Sequence, residues 1–219
     1  MTHAISMGVL LCAIFFAAGA FVPEHPLLAA EVSAELEQAR AEFIKNFKRI
    51  GLNTTPGDAA FLRLMVELRQ AKRGVEVGTA TGYGAMLMGL GFERTGGQLI
   101  TIEIDPAMAA AARKNFQAMQ LEKTVTLIEG DALKVLPQLE GQFDFVFIDA
   151  VKSDYLKYFR AIEPKLKPGA LIIADNAIQS AKAMRDYLEA VQNDPKYRTV
   201  IIRASDEKND GMAVTLKLQ

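Results

Sequence analysis

Val75-Glu76-Val77-Gly78-Thr79-Ala80-Thr81-Gly82-Tyr83-Gly84 decides how the chain is read. Apolar residues lead into glycines at 78, 82 and 84, the pattern of a buried strand that breaks into a tight turn and then a helix. Glycine is needed there because the backbone turns sharply and a ligand can approach it with no Cβ in the way. Glu76 sits among apolar residues just before the turn. An unpaired buried carboxylate is costly, so a partner, and preferably a cationic one, is expected for it.

Outward from this stretch the chain alternates strand and helix. Strands are expected over 74–77, 98–104, 125–129, 143–148 and 170–174, followed by two closing strands over 199–203 and 212–218. Helices are expected over 83–90, closed by Gly91, and over 106–119, 132–136, 155–163 and 180–191. Pro164 should end or kink the 155–163 helix, and Lys167-Pro168-Gly169 should complete the stop before the fifth strand. Near-continuous apolar strands separated by helices imply an α/β fold, with a mostly parallel, Rossmann-like sheet covered on both faces. Two helices should precede the sheet and cover one of its edges. The first lies within 33–50, and the second starts at Thr55-Pro56-Gly57-Asp58 and buries Phe61, Leu64, Met65 and Leu68. Asp206 to Gly211 reads as a polar loop.

Composition limits the chemistry. In 219 residues there are 25 basic and 26 acidic side chains, so no basic surplus argues for a nucleic-acid partner. A single cysteine, Cys12, excludes an internal disulfide and a cysteine-built zinc site. The two histidines, His3 and His25, fall outside the expected folded domain, which leaves carboxylates, lysines and tyrosines to do any chemistry. Residues 4–22 carry no charge and are mostly apolar, as in a signal-peptide core or a short membrane anchor. The expected organisation is therefore a hydrophobic segment over 1–30, associating with or crossing a membrane, and one domain over 31–219. Location depends on that segment, and a mis-called start would leave the protein cytoplasmic.

In an open parallel sheet, ligands bind beyond the carboxyl ends of the strands. Glu76 adjoins the first such end. Glu103 lies near the end of the second strand, about 20 residues past the glycine turn, where an acid can accept ribose hydroxyls. Asp131 follows the third strand in Glu129-Gly130-Asp131-Ala132. Together with the turn, these acids favour a nucleoside-bearing ligand, and a cationic one such as S-adenosylmethionine (SAM) would also partner Glu76. A short-chain oxidoreductase remains an alternative, although none of the five tyrosines has a lysine four residues on. A non-catalytic SAM-binding envelope protein is another.

The fourth strand ends Phe147-Ile148-Asp149-Ala150-Val151-Lys152, and the fifth ends Ile173-Ala174-Asp175-Asn176. If these strands are neighbours, Asp149, Asp175 and Asn176 bring three oxygen ligands to one place, suited to a hard divalent cation such as Mg²⁺. Lys152 lies on the loop above. A nearby cation disfavours its charged form, so it is the candidate general base.

From Thr54 to its end the chain resembles the cation-dependent O-methyltransferases, the group that contains catechol and caffeoyl-CoA O-methyltransferases. The marks are Val-Glu-Val-Gly-Thr-Ala-Thr-Gly-Tyr at 75–83, Ile-Glu-Ile-Asp at 102–105, Glu-Gly-Asp-Ala at 129–132, Phe-Ile-Asp-Ala-Val-Lys at 147–152, Ala-Asp-Asn at 174–176 and Asp-Gly-Met at 210–212. The resemblance implies a seven-stranded sheet with an antiparallel last strand, the SAM-dependent methyltransferase fold. It also implies a SAM site formed by Glu76, Gly78, Tyr83 and Gly84, with Glu103 on the ribose, Asp131 and Ala132 beside the adenine and Asp149 alongside. Asp149, Asp175 and Asn176 would bind the metal, Lys152 would take a proton from a small phenolic substrate, and a homodimer would be usual. The chain departs from the pattern at Gly84, where many relatives carry Ser, and at Thr55-Pro56-Gly57, which offers no clear substrate-gripping side chain. Its apolar N-terminus is also unusual for the family.

Overall fold

A computed structural model of the chain describes residue 1 and residues 32–219. The apolar segment 4–22, with Cys12 and His25, and also His3, lies outside the described residues. Among the described residues no helix is long and apolar enough to cross a membrane.

Seven strands form one sheet in the order β3-β2-β1-β4-β5-β7-β6. They are β1 (Arg73–Val77), β2 (Gln98–Glu103), β3 (Val125–Glu129), β4 (Phe143–Ile148), β5 (Leu166–Ala174), β6 (Tyr197–Ile202) and β7 (Met212–Lys217). The pairings from β3 through β5 are parallel, whereas β7 pairs antiparallel with both β5 and β6. The expected antiparallel last strand is thus present. The sheet reverses direction of growth at β1, with β2 on one side and β4 on the other, and a cavity opens beyond the carboxyl ends at that crossover.

The helices are α1 (Ala34–Lys45), α2 (Pro56–Arg69), α3 (Tyr83–Thr95), α4 (Pro106–Ala118), α5 (Ala132–Val135), α6 (Tyr155–Ile162) and α7 (Arg185–Asn193). Side chains of α2, α3 and α4 form one core layer with Phe145, Phe147 and Ile173, against which Phe43 and Phe47 of the α1 region pack. Side chains of α6 and α7 form the other layer with Val75, Val146 and Ile172. Hence α1 and α2 belong to a face of the molecule, whereas the sequence reading put them at an edge.

Four further expectations are corrected. The buried stripe of α2 is Asp58, Ala59, Leu62 and Val66, whereas Leu64 and Leu68 are exposed. The reason lies in α3. A Cβ on Gly91 would stand 3.1 Å from the Val66 side chain and 3.2 Å from the Arg63 carbonyl, so the two helices meet through their smallest surfaces. Gly91 is therefore a packing position inside α3, and the helix continues to Gly96, which takes the left-handed conformation that ends it. Pro168 and Gly169 lie within β5, because the β4–β5 register shifts between Phe143 and Phe145 and absorbs them. Finally, α7 starts at Arg185 and not near Ser180. The Asp210 carboxylate holds the N–H groups of Ile178 and Gln179 (both 3.0 Å) and keeps this stretch in turns.

α1 is held by a buried arginine. Arg40 donates to Met119 O (2.7 Å), to Gln120 O (3.0 Å) and to both carboxylate oxygens of Glu93 (2.6 and 3.1 Å). Arg40→Ala should cost about 2 kcal/mol in chemical denaturation, because several charge-assisted hydrogen bonds are lost together. Removing the partly exposed Arg63–Glu67 pair should change the midpoint far less, by about 0.5 kcal/mol or under.

Candidate active site

The glycine turn follows β1 directly. Gly78 (φ 93°) and Gly82 (φ 94°) take conformations open to glycine, and Ala80 (φ 48°) is also left-handed. A Cβ on Gly78 would lie 2.1 Å from the Asp149 carbonyl oxygen, so β1 and β4 approach closely only because this residue has none. Asp149 N–H donates to Val77 O (2.9 Å), which extends the ladder up to the acid. Glu103 locks the turn from the other side. Its Oε2 accepts from the N–H groups of Thr79 (3.1 Å) and Ala80 (2.7 Å), and its Oε1 accepts from Asp105 N–H (2.9 Å). Beyond the expected ribose role, then, Glu103 fixes the loop itself.

Gly78, Glu103, Asp131 and Ala132 line one side of a cavity of about 730 Å³. Asp149, Lys152, Asp175 and Asn176 line the rest of its floor. Ile148 pairs with Ala174 in adjacent parallel strands, so Asp149 and Asp175, each one residue further on, stand side by side. Lys152 Nζ lies 2.7 Å from Asp149 Oδ1 and 2.9 Å from the hydroxyl of the fully buried Tyr155. Asn176 adopts φ 60°, and its Nδ2 donates to Asp210 Oδ2 (2.9 Å), which fixes the amide so that its oxygen is left as the free end.

Glu76, Tyr83 and Gly84 are not among the cavity's lining residues. Glu76 is buried, and its partner is the Thr101 hydroxyl at 2.5 Å, where the sequence argument looked for a cation. Burial pushes its carboxyl up to about 8; the Asp149 and Glu103 charges add to this and the Thr101 hydrogen bond opposes it. It therefore meets the cost of burial by keeping its proton. Tyr83 packs on Phe47 and under the Arg49 guanidinium. A Cβ on Gly84 would meet Thr54 Oγ1 at 2.7 Å, so the glycine lets the 53–55 segment close over α3.

Sequence reasoning missed Lys208, Asp58 and Asn53. Lys208 Nζ reaches the floor from the β6–β7 loop and contacts Asp175 Oδ1 (2.7 Å), Asp175 Oδ2 (2.6 Å) and Asp58 Oδ2 (2.7 Å). Burial pushes the Asp175 carboxyl up, to about 6, and the Asp149 charge adds to the shift, while Lys208 pulls it back. In the sequence Asp58 signals only a helix start, and a lysine in a polar loop carries no signal of its own. Asn53 accepts from Thr81 Oγ1 (2.9 Å) and lines the cavity, and its Nδ2 is buried with no partner.

A family model described as O-methyltransferase matches residues 28–214. The chain belongs to this family. It is 39% identical over 137 residues to a catechol O-methyltransferase of Niastella koreensis, covering 61% of this chain and 62% of that one. It is 31% identical over 208 residues to a catechol O-methyltransferase of Mycobacterium tuberculosis, covering 89% and 90%. The chain thus spans about three fifths of the length of the first relative and nine tenths of the second. Among solved structures, the O-methyltransferase TomG from Streptomyces achromogenes, in complex with SAM, superposes with a TM-score of 0.73 at 25% identity, covering 89% of this chain and 93% of that one. The sheet and helices therefore form the fold of SAM-dependent O-methyltransferases.

The proton on Glu76 has a measurable consequence. The unfolded chain releases it near the ordinary value of 4.5, whereas the folded protein holds it to about 8. The folded state binds more protons between those limits, so stability falls as pH rises through them. The melting temperature of the ligand-free protein should decline across this range, and Glu76→Gln should flatten the decline. An unchanged slope in the variant would assign the proton elsewhere.

Proposed function

We propose that this protein transfers the methyl group of SAM to a phenolic oxygen of a small catechol-like acceptor, with a hard divalent cation such as Mg²⁺ at the acceptor site. The observation that carries this reading is the meeting, in one cavity, of the glycine turn and Glu103 with Asp149, Asp175, Asn176 and Lys152. Family membership and the SAM held by TomG support it.

The residues fit both groups. For SAM, Gly78 leaves open backbone, Glu103 and Asp131 offer acceptors, and the unpartnered Asn53 Nδ2 is a donor suited to a carboxylate. For the cation, Asp149, Asp175 and the Asn176 amide oxygen form a hard-oxygen set. Among the described residues no three of His, Cys, Asp or Glu gather as a metal site, so the amide is needed as the third ligand.

When bound, SAM would supply an electrophilic methyl group and the cation a Lewis acid for two vicinal oxygens. The protein does the rest. Lys152, positioned by Asp149 and by the Tyr155 hydroxyl, would accept the phenolic proton as the neutral amine, a form that a bound cation beside it favours. The new bond joins that oxygen to the methyl carbon as the sulfonium–methyl bond breaks, leaving the thioether S-adenosylhomocysteine and the methyl ether. Leu52 and Val151, exposed at the cavity, would flank a flat aromatic ring and exclude water. Holding both reactants over the strand ends supplies much of the rate.

SAM consumption with a vicinal diphenol, with and without Mg²⁺, tests this. Turnover should require the metal, and Asp149→Ala should abolish it while the protein still melts cooperatively. Full turnover in excess chelator would remove the metal from the mechanism. Lys152→Met should lower kcat by about 10²–10⁴ with SAM affinity nearly unchanged; an unaltered kcat would mean that the proton goes elsewhere.

A further inference from the structure

We infer that Lys208 is a tethered cation that competes with the divalent ion for Asp175, so that metal entry and release of the β6–β7 loop are one event. This rests on the metal-dependent reading above and goes beyond it by naming what the ion must displace.

The contacts make the case. An ammonium has three donors, and Lys208 directs all its contacts at two carboxylates, to Asp175 Oδ1, Asp175 Oδ2 and Asp58 Oδ2, at 2.7, 2.6 and 2.7 Å. Both acids are almost fully enclosed, with side-chain exposures of 1% for Asp58 and 4% for Asp175. Asp175 Oδ1 also accepts the Asn176 N–H (2.7 Å), so this carboxylate has little capacity left while Lys208 is in place. A divalent ion held by Asp149, Asp175 and Asn176 would have to take oxygen lone pairs that the ammonium now occupies. Two cations on one carboxylate in a site this enclosed repel strongly, so one must leave, and the lysine is the one on a flexible stem.

The structure also provides a place for it to go and a reason for the loop to follow. Asp58 lies beyond Asp175 at the start of α2 and could retain the ammonium alone. Two further contacts tie the loop to the segment before α2 and to the first turn of α2. Arg49 pairs with Glu207 (2.7 Å), and Gly57 packs so closely that a Cβ there would lie 2.6 Å from Ala204 O. Thr55 and Lys208 both line the cavity, so these two segments form one wall. Metal affinity is then reduced by the fraction of molecules in which Lys208 still holds Asp175.

Mn²⁺ binding to the full chain, followed by electron paramagnetic resonance of the free ion without SAM or acceptor, tests this directly. Lys208→Met should bind Mn²⁺ about tenfold tighter or more, and Lys208→Gln, which also removes the competing charge but keeps a polar side chain, should tighten it as well. Lys208→Gln serves as the independent measurement if Lys208→Met does not fold. Affinity equal to or weaker than wild type in both variants would overturn the competition and leave the metal reading standing. No Mn²⁺ binding by the wild type or by either variant would overturn both. Hydrogen exchange separates displacement from simple charge repulsion. Adding Mn²⁺ to the wild type should speed amide exchange over 205–211, and unchanged exchange there would overturn the coupling to the loop.

Discussion

Asp149 and Asp175 stand next to each other because β4 and β5 are parallel neighbours in register, and their charges oppose one another at the top of the sheet. Much of the surrounding architecture offsets that repulsion. Lys152 comes up from the turn after β4 to meet Asp149, and Lys208 comes down from the β6–β7 loop to meet Asp175. Asp210, which accepts three hydrogen bonds from the turn after β5, orients Asn176 beside them. A site that concentrates like charge in a sheltered place is unstable by itself and is suited to a ligand that brings positive charge.

The second constraint is steric. The carboxyl ends of β1 and β4 can come together only where Gly78 has no side chain, and the loop that follows keeps its left-handed turns because Glu103 bonds two of its N–H groups. One carboxylate thus shapes the glycine-turn side of the cavity, while the pair on β4 and β5 shapes the other side. The two halves share a wall at Asp149, whose backbone meets Gly78 and whose side chain meets Lys152. The glycine turn and the paired acids are brought together there by strand order.

Some features were legible in the sequence because they are local. The glycine turn, the nearly all-apolar run of β4, and the Pro-opened starts of α2 and α4 each depend on residues within a few positions of one another. The motifs at the strand ends were legible for the same reason. What failed were inferences about which face of an element is buried. α2 offered two apolar stripes, and the one with Ala59 and Val66 was chosen only because Gly91 of α3 lets the helices close. The apolar neighbours of Glu76 in the sequence point to a cationic partner, yet Thr101, on the neighbouring strand, is its partner.

By itself the sequence determined the α/β alternation, the position of the glycine turn, and the acids at the strand ends, because hydrophobic period, glycine and proline act over short range. Tertiary structure alone decided that Lys208 meets Asp58 and Asp175, that Glu76 keeps a proton, and that Arg40 anchors α1. These depend on charges brought together from residues far apart in the chain and on how completely water is excluded around them, and neither is encoded in any one segment.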